Sequence, residues 1–375
     1  MKSEIILKKI IDKGNITSYG FYNVVLPKVQ NKQLNLGDEV IFNFNGIKII
    51  DPIVIPYFIC IAEWCNQQTN RKTIFRLNND LDNENLIQYL SAINFKEQSK
   101  EVYSFEEEWG YSSDETTIKK QEQVKNNTLF NRFDITKIEN RWVDERESFI
   151  SREAVWEYIV PMFYQPSYIS TRQKYYLDDI LCGRAGKEFS QDITRMLTEL
   201  THNALFHGHA NCYFLSEYVS SNKCIRISLS DLGQGMRQSF NINKSTRTLR
   251  FSKEDFNLFE EERLDENLHA MVESILLRLW KQNGLYGSIY TVLKNDGKIR
   301  IHSDNCQLIL TNRAKDFFSR KGMILFEENN EALKQEFLNF LKWDPKDVKT
   351  SNIRKTAFFP GVHFELEMPV PENYM

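Results

Sequence analysis

One short stretch in the second half of the chain constrains its fold more than any other. Cys224–Asp231 alternates apolar and polar side chains, which is typical of a β-strand with a buried face. The strand ends in the carboxylate of Asp231, and the sequence continues through Gly233 and Gly235 to Met236. A carboxylate fixed at a strand end can accept a hydrogen bond from a purine amino group, while the glycines let the backbone approach a ligand. The same pattern also fits a turn that closes a hairpin.

A helix is predicted in front of this strand, over residues 192–207, because apolar residues recur there at helical spacing. Glu199, Asn203 and His207 follow one another at intervals of four and therefore share one face of that helix. An amide oxygen can ligate Mg²⁺, and a carboxylate one turn away can orient or deprotonate a water molecule. Pairs with this spacing are also common on solvated helices, so the helix alone does not establish a site.

A glycine-rich turn follows further along the chain. Gly284 and Gly287 precede a helix that is predicted from Ile289. Glycines in front of a helix expose backbone N–H groups, and the helix dipole favours an anion such as phosphate at that end. Glycine before a helix is otherwise a simple turn residue.

The remaining pattern predicts a chain of mixed α/β type. Over residues 36–97 the order is strand, helix, strand, helix, which favours a small α/β domain. Residues 98–135 are polar and charged, and they are interpreted as a linker or an irregular packed segment. The last three strands are predicted at residues 298–302, 307–311 and 362–368.

Length and composition narrow the class of protein. A chain of 375 residues has room for two or three domains of ordinary size. Lys and Arg number 48 against 51 Asp and Glu, so no basic excess indicates a nucleic-acid partner. No stretch approaches the roughly 20 apolar residues of a membrane span. Six scattered cysteines without a CxxC pair fit a reducing compartment, and we expect a cytoplasmic protein.

The order of these motifs resembles the GHKL family of ATP-binding domains, to which gyrase, the mismatch-repair ATPases and the histidine kinases belong. ExxxN on a helix corresponds to the family's N box, DxGxG after a strand to its G1 box, and the glycine-rich turn to its G2 box. A mobile lid separates the last two boxes in the family. The resemblance implies a Bergerat-type α/β sandwich at residues 149–375. The residue pattern before it predicts a linker or irregular segment at 101–148 and a smaller α/β domain at 1–100.

The resemblance also implies roles for individual residues. Glu199 would be the general base for hydrolysis or transfer, Asn203 would ligate Mg²⁺, and Asp231 would bind the amino group of adenine. Residues 237–283 would form the lid, and ATP with Mg²⁺ would be the ligand. The remaining site positions are Gly233, Gly235 and Met236, which would shape the adenine pocket, and Gly284 and Gly287, which would flank the phosphate loop.

Two positions depart from the family's pattern. The third box usually reads GxG followed by an apolar residue, whereas here two residues separate Gly284 from Gly287, which leaves the register of the phosphate loop open. The family often has a Thr after its late glycine, where this chain has Val362. Both departures bear on turnover more than on nucleotide binding.

The first domain more loosely resembles a STAS domain, the fold of the anti-anti-sigma factors. The resemblance rests on a strand at residues 40–44, on Gly46, on the Asp51-Pro52 turn and on the helix after it. In anti-anti-sigma factors a Ser beside this helix accepts phosphate from a GHKL kinase. Residues 50–53 contain no Ser or Thr, so we expect the domain to bind a protein partner instead.

Three functions are compatible with this combination. The first is a Mg²⁺-dependent ATP-binding protein with slow hydrolysis, which acts as a nucleotide-driven conformational switch in a bacterial signalling or defence-type system. The second is a serine protein kinase of the anti-sigma type. The third is a non-catalytic scaffold that binds nucleotide. Relatives in the family often dimerise, and a homodimer stays open for this chain.

Overall fold

The computed structural model divides the chain into two compact units. The first comprises Met1–Arg132 together with Tyr213–Tyr218, and the second comprises Phe133–Cys212 and Val219–Met375. Parallel and antiparallel sheets both occur, so the chain is of mixed α/β class, as the sequence predicts. The residues that the structure describes are 2–11, 14–79, 83–107, 109, 115–139, 152–163, 187–243, 249–277, 284–341 and 352–371.

A four-stranded parallel sheet forms the centre of the first unit, with its strands in the order β1-β3-β5-β6. The strands are β1 (Lys2–Ile6), β2 (Asn15–Ile16), β3 (Glu39–Asn43), β4 (Ile49–Ile50), β5 (Thr73–Arg76), β6 (Tyr103–Phe105) and β7 (Thr128–Phe133). The helices are α1 (Ser18–Gly20), α2 (Leu26–Gln30), α3 (Ile55–Thr69), α4 (Glu84–Ala92), α5 (Phe95–Ser99) and α6 (Glu115–Asn127).

Helix α3 packs against this sheet, and its first half is apolar on every side. Its residues 55–62 are all buried. The ring of Phe58 lies 5.1 Å from that of Phe44 at the end of β3, and the Phe58 carbonyl accepts a hydrogen bond from the buried Tyr103 hydroxyl at 2.6 Å. The predicted strand, helix, strand, helix order is therefore confirmed. The segment at 98–135, which was expected to be irregular or a linker, contains β6, α6 and β7.

An antiparallel sheet carries the second unit, in which β11 lies between β9 and β10 and pairs with both. Its strands are β9 (Cys224–Asp231), β10 (Lys298–Leu310) and β11 (Ile353–Pro369), while β8 (Cys212–Val219) has its residues 213–218 in the first unit. Its helices are α7 (Thr136–Glu139), α8 (Arg152–Phe163), α9 (Lys187–Phe206), α10 (Met236–Asn243), α11 (Glu262–Leu276), α12 (Gly284–Lys294), α13 (Arg320–Glu327) and α14 (Glu331–Leu341). The helices α8 and α12 pack against α9, and the helices α11 and α12 pack against β10.

The prediction of two strands at 298–302 and 307–311 was wrong, because they form the single bent strand β10. Its register with β11 shifts on both sides of Asp304, whose φ is +58°. An irregularity of this kind bends a strand without ending it. The last strand also begins earlier than predicted, and Pro360-Gly361 lies inside β11, with Gly361 at φ +91°.

The described part of residues 237–283, which were predicted to form the lid, contains most of α10, a packed loop and α11. Asp265 of α11 is buried and accepts hydrogen bonds from three backbone N–H groups between residues 258 and 261, at 3.0–3.3 Å. Glu273, two turns further along α11, is also buried and accepts two from the N–H groups of residues 250–251, at 2.8 and 2.7 Å. These buried carboxylates fix the loop in front of α11. Within the described part of the chain, no helix is long and apolar enough to cross a membrane.

Candidate functional site

A cleft in the second unit brings three of the sequence motifs together. It encloses about 820 Å³ when counted out to its open mouth. Its walls come from α9, the turn after β9, the end of α11, the start of α12 and from β11. Four of the residues singled out in the sequence line it, namely Asn203, Asp231, Met236 and Gly284.

Helix α9 forms one wall with a single face. Leu200, Asn203, Ala204 and His207 line the cleft and recur at the spacing of helical turns. The N–H groups of His207 and Gly208 both reach the carbonyl oxygen of Asn203, at 2.9 and 3.1 Å, where the helix ends. The predicted helix at 192–207 is confirmed, and its end leaves His207 exposed in the cleft wall.

The carboxylate of Asp231 is held by main-chain donors. Asp231 is 1% exposed, and its Oδ1 accepts hydrogen bonds from the N–H of Gly233 at 2.9 Å and of Val362 at 3.3 Å. The antiparallel register pairs Ser230 with His363, which places Val362 beside the end of β9. Two strands together therefore fix the orientation of this carboxylate in the cleft wall.

The two glycines after β9 allow the turn to pack closely against neighbouring segments. A Cβ at Gly233 would come within 2.6 Å of the Gly208 carbonyl carbon, and the neighbouring Gln234 N–H donates to the Gly208 oxygen at 3.1 Å. A Cβ at Gly235 would lie only 3.0 Å from Oδ2 of Asp304. Neither glycine is among the lining residues that the structure describes, so both shape the cleft indirectly, by letting backbone segments meet.

Met236 begins α10 and is anchored by a residue that the sequence did not reveal. Its N–H donates to Oγ of Ser303 on β10 at 2.9 Å, and its buried side chain lines the cleft. Asp304 follows at the bend of β10, and burial raises the pKa of its carboxyl. No local pattern in the sequence relates Ser303 to Met236, because the contact depends on where β10 returns.

Helix α12 begins at Gly284, five residues earlier than the helix predicted from Ile289. Gly284 has φ +71° and lines the cleft together with Leu285. Gly287 lies one turn further into the helix and is not among the lining residues in the described ranges. The expected phosphate loop is therefore the first turn of a helix, preceded by residues 278–283, which lie outside the described residues.

Glu199 stands one turn before Asn203 on α9, outside the cleft lining itself. Its Oε2 is buried and has no hydrogen-bond partner among the described residues. A buried carboxylate oxygen without a partner is costly, and a cation or an ordered water would relieve that cost. Carboxylate and amide oxygens suit Mg²⁺, which keeps several of its own waters and needs few protein ligands. These two residues therefore fit the metal that the motif implies.

The described ranges contain no group of three or more His, Cys, Asp and Glu side chains that could hold a metal by themselves. No family model matches this chain, and no curated protein or solved structure is significantly similar to it. The interpretation of the cleft therefore depends on the geometry of its own residues.

Proposed function

We propose that the second unit is a GHKL-type domain that binds ATP with Mg²⁺ in this cleft, hydrolyses it slowly and acts as a nucleotide-driven switch. The observation that carries the proposal is the meeting of Asn203, Asp231, Met236 and Gly284 in one cleft. The four residues come from three motifs that lie apart in the sequence, and these motifs were assigned to the metal, the adenine and the phosphates of the same ligand. Packing of the core alone does not require these four residues to line the same cleft.

The adenine ring of ATP would lie against Asp231. Its Oδ1 is held by two N–H groups, so the carboxylate is a preorganised acceptor for the amino group of adenine. The apolar side chains of Leu200, Ile275 and Phe364 line the same cleft and suit the faces of a flat ring.

The phosphates would bind at the start of α12, opposite Glu199 and Asn203 on α9. Gly284 stands at the N-terminus of a helix of 11 residues, where free N–H groups and the helix dipole favour anions. Bound Mg²⁺ would offset phosphate charge in the reaction. Asn203 would hold the metal through its amide oxygen, and Glu199 would accept the proton of the attacking water at its buried Oε2.

Binding without turnover is the second candidate, and two observations favour it. Glu199 stands outside the cleft lining, and Gly287 lies inside α12 rather than in a flexible loop. Both would slow hydrolysis without preventing nucleotide from entering the cleft. In either case we propose that the first unit, a parallel α/β domain for which a STAS-like fold was expected, binds the protein partner.

Calorimetric titration with ATP and with a non-hydrolysable analogue, in the presence of Mg²⁺, tests the proposal. Wild type should bind both, and Asp231→Ala should lose binding. Asp192→Ala is the matched control, because Asp192 is a half-buried carboxylate of the same unit that pairs with Lys294 and lies outside the cleft lining. It should bind like wild type.

Circular dichroism of each variant establishes that it is folded before its titration is interpreted. Absence of binding in wild type would refute the proposal. Equal binding by wild type and a folded Asp231→Ala would place the nucleotide outside this cleft.

A further inference from the structure

An insertion between β10 and β11 lies against α12 and against the loop in front of α11, and both of these helices contribute to the walls of the cleft. It spans residues 311–352 and contains a short 3-10 turn, Asn312–Ala314, followed by α13 and α14. One contact joins it to Tyr286 at the start of α12, and another joins it to Phe251 in front of α11. Each contact lies next to residues that line the cleft.

Tyr286 makes the first contact through its hydroxyl. The side chain is 2% exposed, and its oxygen lies 3.0 Å from the Phe317 carbonyl and 3.2 Å from that of Ser319. A hydroxyl has one proton, so it donates to these two oxygens in turn. Burial raises the pKa of Tyr286, which keeps that proton in place. Tyr286 directly follows Gly284 and Leu285, the two residues of α12 in the cleft wall.

The acceptor side of this contact is itself fixed. Oγ of Ser319 caps the N-terminus of α13 by accepting from the Gly322 N–H at 3.1 Å. A Cβ at Gly322 would come within 2.6 Å of the Phe317 carbonyl carbon, so the first turn of α13 covers that peptide closely. The insertion also reaches the other end of α12, where Nζ of Lys315 lies 3.6 Å from Asp296.

Phe251 makes the second contact by packing on both helices of the insertion. Its ring centroid lies 6.3 Å from that of Phe326 on α13 and 6.1 Å from that of Phe337 on α14. The Phe251 N–H donates to the Glu273 carboxylate at 2.7 Å, and Ser274, which follows Glu273, lines the cleft. One insertion therefore supports both α11 and α12.

We infer that Tyr286 is a positioning residue, whose hydroxyl fastens the first turn of α12 to the insertion and so holds Gly284 and Leu285 in place for the ligand. The inference rests on the proposed function of the cleft. A first turn that is already fixed loses less conformational entropy when the ligand binds than a mobile one would. The lower entropy cost makes binding tighter. Removing the hydroxyl should therefore weaken binding without touching the ligand.

Tyr286→Phe tests this by deleting only the hydroxyl while leaving the ring against Phe318. Tyr290→Phe is the matched control, because Tyr290 lies one turn further along α12 and is 37% exposed. In calorimetric titration of the full chain with Mg-ATP, Kd should rise roughly threefold to tenfold for Tyr286→Phe, the effect of one net hydrogen bond. It should not change for Tyr290→Phe. A lower unfolding temperature with an unchanged Kd would mean a merely structural role and would overturn the inference.

Hydrogen exchange without ligand separates this inference from the proposed function. In Tyr286→Phe the amides of residues 288–291, which donate to the carbonyl groups of the first turn of α12, should exchange faster, while those of α9 should keep their wild-type rates. If wild type fails to bind ATP, the proposed function fails, and exchange alone decides whether the hydroxyl holds α12. Unchanged exchange at the start of α12 would overturn the inference in that case too.

Discussion

Val362 on β11 donates its backbone N–H to Oδ1 of Asp231 on β9, at 3.3 Å and across 131 positions of sequence. Gly361, the residue before it, has φ +91° and lies against the Asp231 backbone. The carboxylate that we assign to adenine is therefore oriented by the backbone of the neighbouring strand. A change that displaces β11 at this point should disturb the cleft without altering any side chain that lines it.

Gly361→Ala should be strongly destabilising. A Cβ there would come within 2.8 Å of the Asp231 carbonyl carbon, in addition to the strain of an L-residue at positive φ. The combined cost should be about 3 kcal/mol of unfolding free energy, measured by chemical denaturation. Gly37→Ala isolates the strain, because Gly37 has φ +83° with nothing within 4 Å of its Cβ position, and it should cost about 1–2 kcal/mol. Equal losses in the two variants would show that the close approach to Asp231 does not matter.

Glu199→Gln should stop turnover and preserve binding. The substitution keeps the size of the side chain but removes its ability to accept a proton, which should lower the hydrolysis rate by about 100-fold or more. Steady-state phosphate release measures the rate, and calorimetry measures binding. The control is Glu188→Gln, at an exposed position in the first turn of the same helix. A rate equal to wild type would remove Glu199 from the mechanism, and binding without release in wild type would favour the scaffold function.

Two buried histidines should make the second unit sensitive to acid. His302 on β10 and His363 on β11 face each other in register, with ring centroids 5.6 Å apart. Burial lowers the pKa of His302 to about 3, and burial together with His302 lowers that of His363 well below its usual range. The unfolded chain therefore binds more protons than the folded one below pH of about 6.5, and stability falls as pH decreases from there.

His302→Asn should flatten this dependence. Keeping His302 uncharged costs about 2 kcal/mol of stability between pH of about 6.5 and 4.5, because only the unfolded chain gains a proton there, and that part of the slope should vanish in the variant. Denaturant unfolding of wild type and variant across this range measures it. His209→Asn, at an exposed position with φ +51° that Asn tolerates, should keep the wild-type slope. The assignment fails if His302→Asn and wild type lose stability in parallel.

Glu273→Ala should release the loop in front of α11. It would leave the N–H groups of Arg250 and Phe251 buried without their acceptor, at a cost of roughly 2–3 kcal/mol. Hydrogen exchange of residues 249–261 should accelerate. Glu262→Ala removes a carboxylate of the same helix that is 81% exposed and pairs with Lys253, and it should change exchange there little. Matching behaviour of the two variants would mean that Glu273 does not anchor the loop.

The local pattern of apolar and polar residues predicted most of the helices and strands that form the walls of the cleft. The helical repeat of apolar residues predicted α9, and strict alternation predicted β9 to the residue. Asn203 on the helix and Asp231 at the strand end both line the cleft, on faces that the spacing of side chains predicts, because the period of a helix or strand decides which side chains share a face. In the first unit local patterns predicted β3, α3, β5 and α4, whereas the segment that contains β6, α6 and β7 was expected to be irregular or a linker.

Other predictions failed where a distant segment decides the local structure. Residues 298–302 and 307–311 were predicted to be two strands, yet pairing along β11 continues between them through a bend at Asp304. Gly284 looked like a turn residue and is instead the first residue of α12, whose Tyr286 is bonded to the insertion. Gly233 was expected to make room for a ligand and instead makes room for the end of α9.

The sequence by itself determined the mixed α/β class, the helix that carries Glu199 and Asn203, and the strand that ends in Asp231. Only the tertiary structure decided that Ser303 anchors Met236, that Val362 orients Asp231, and that an insertion supports the walls of the cleft. The reason is physical. Periodicity records which face of an element is buried, whereas a hydrogen bond between residues 67 or 131 positions apart exists only once the strands between them have paired.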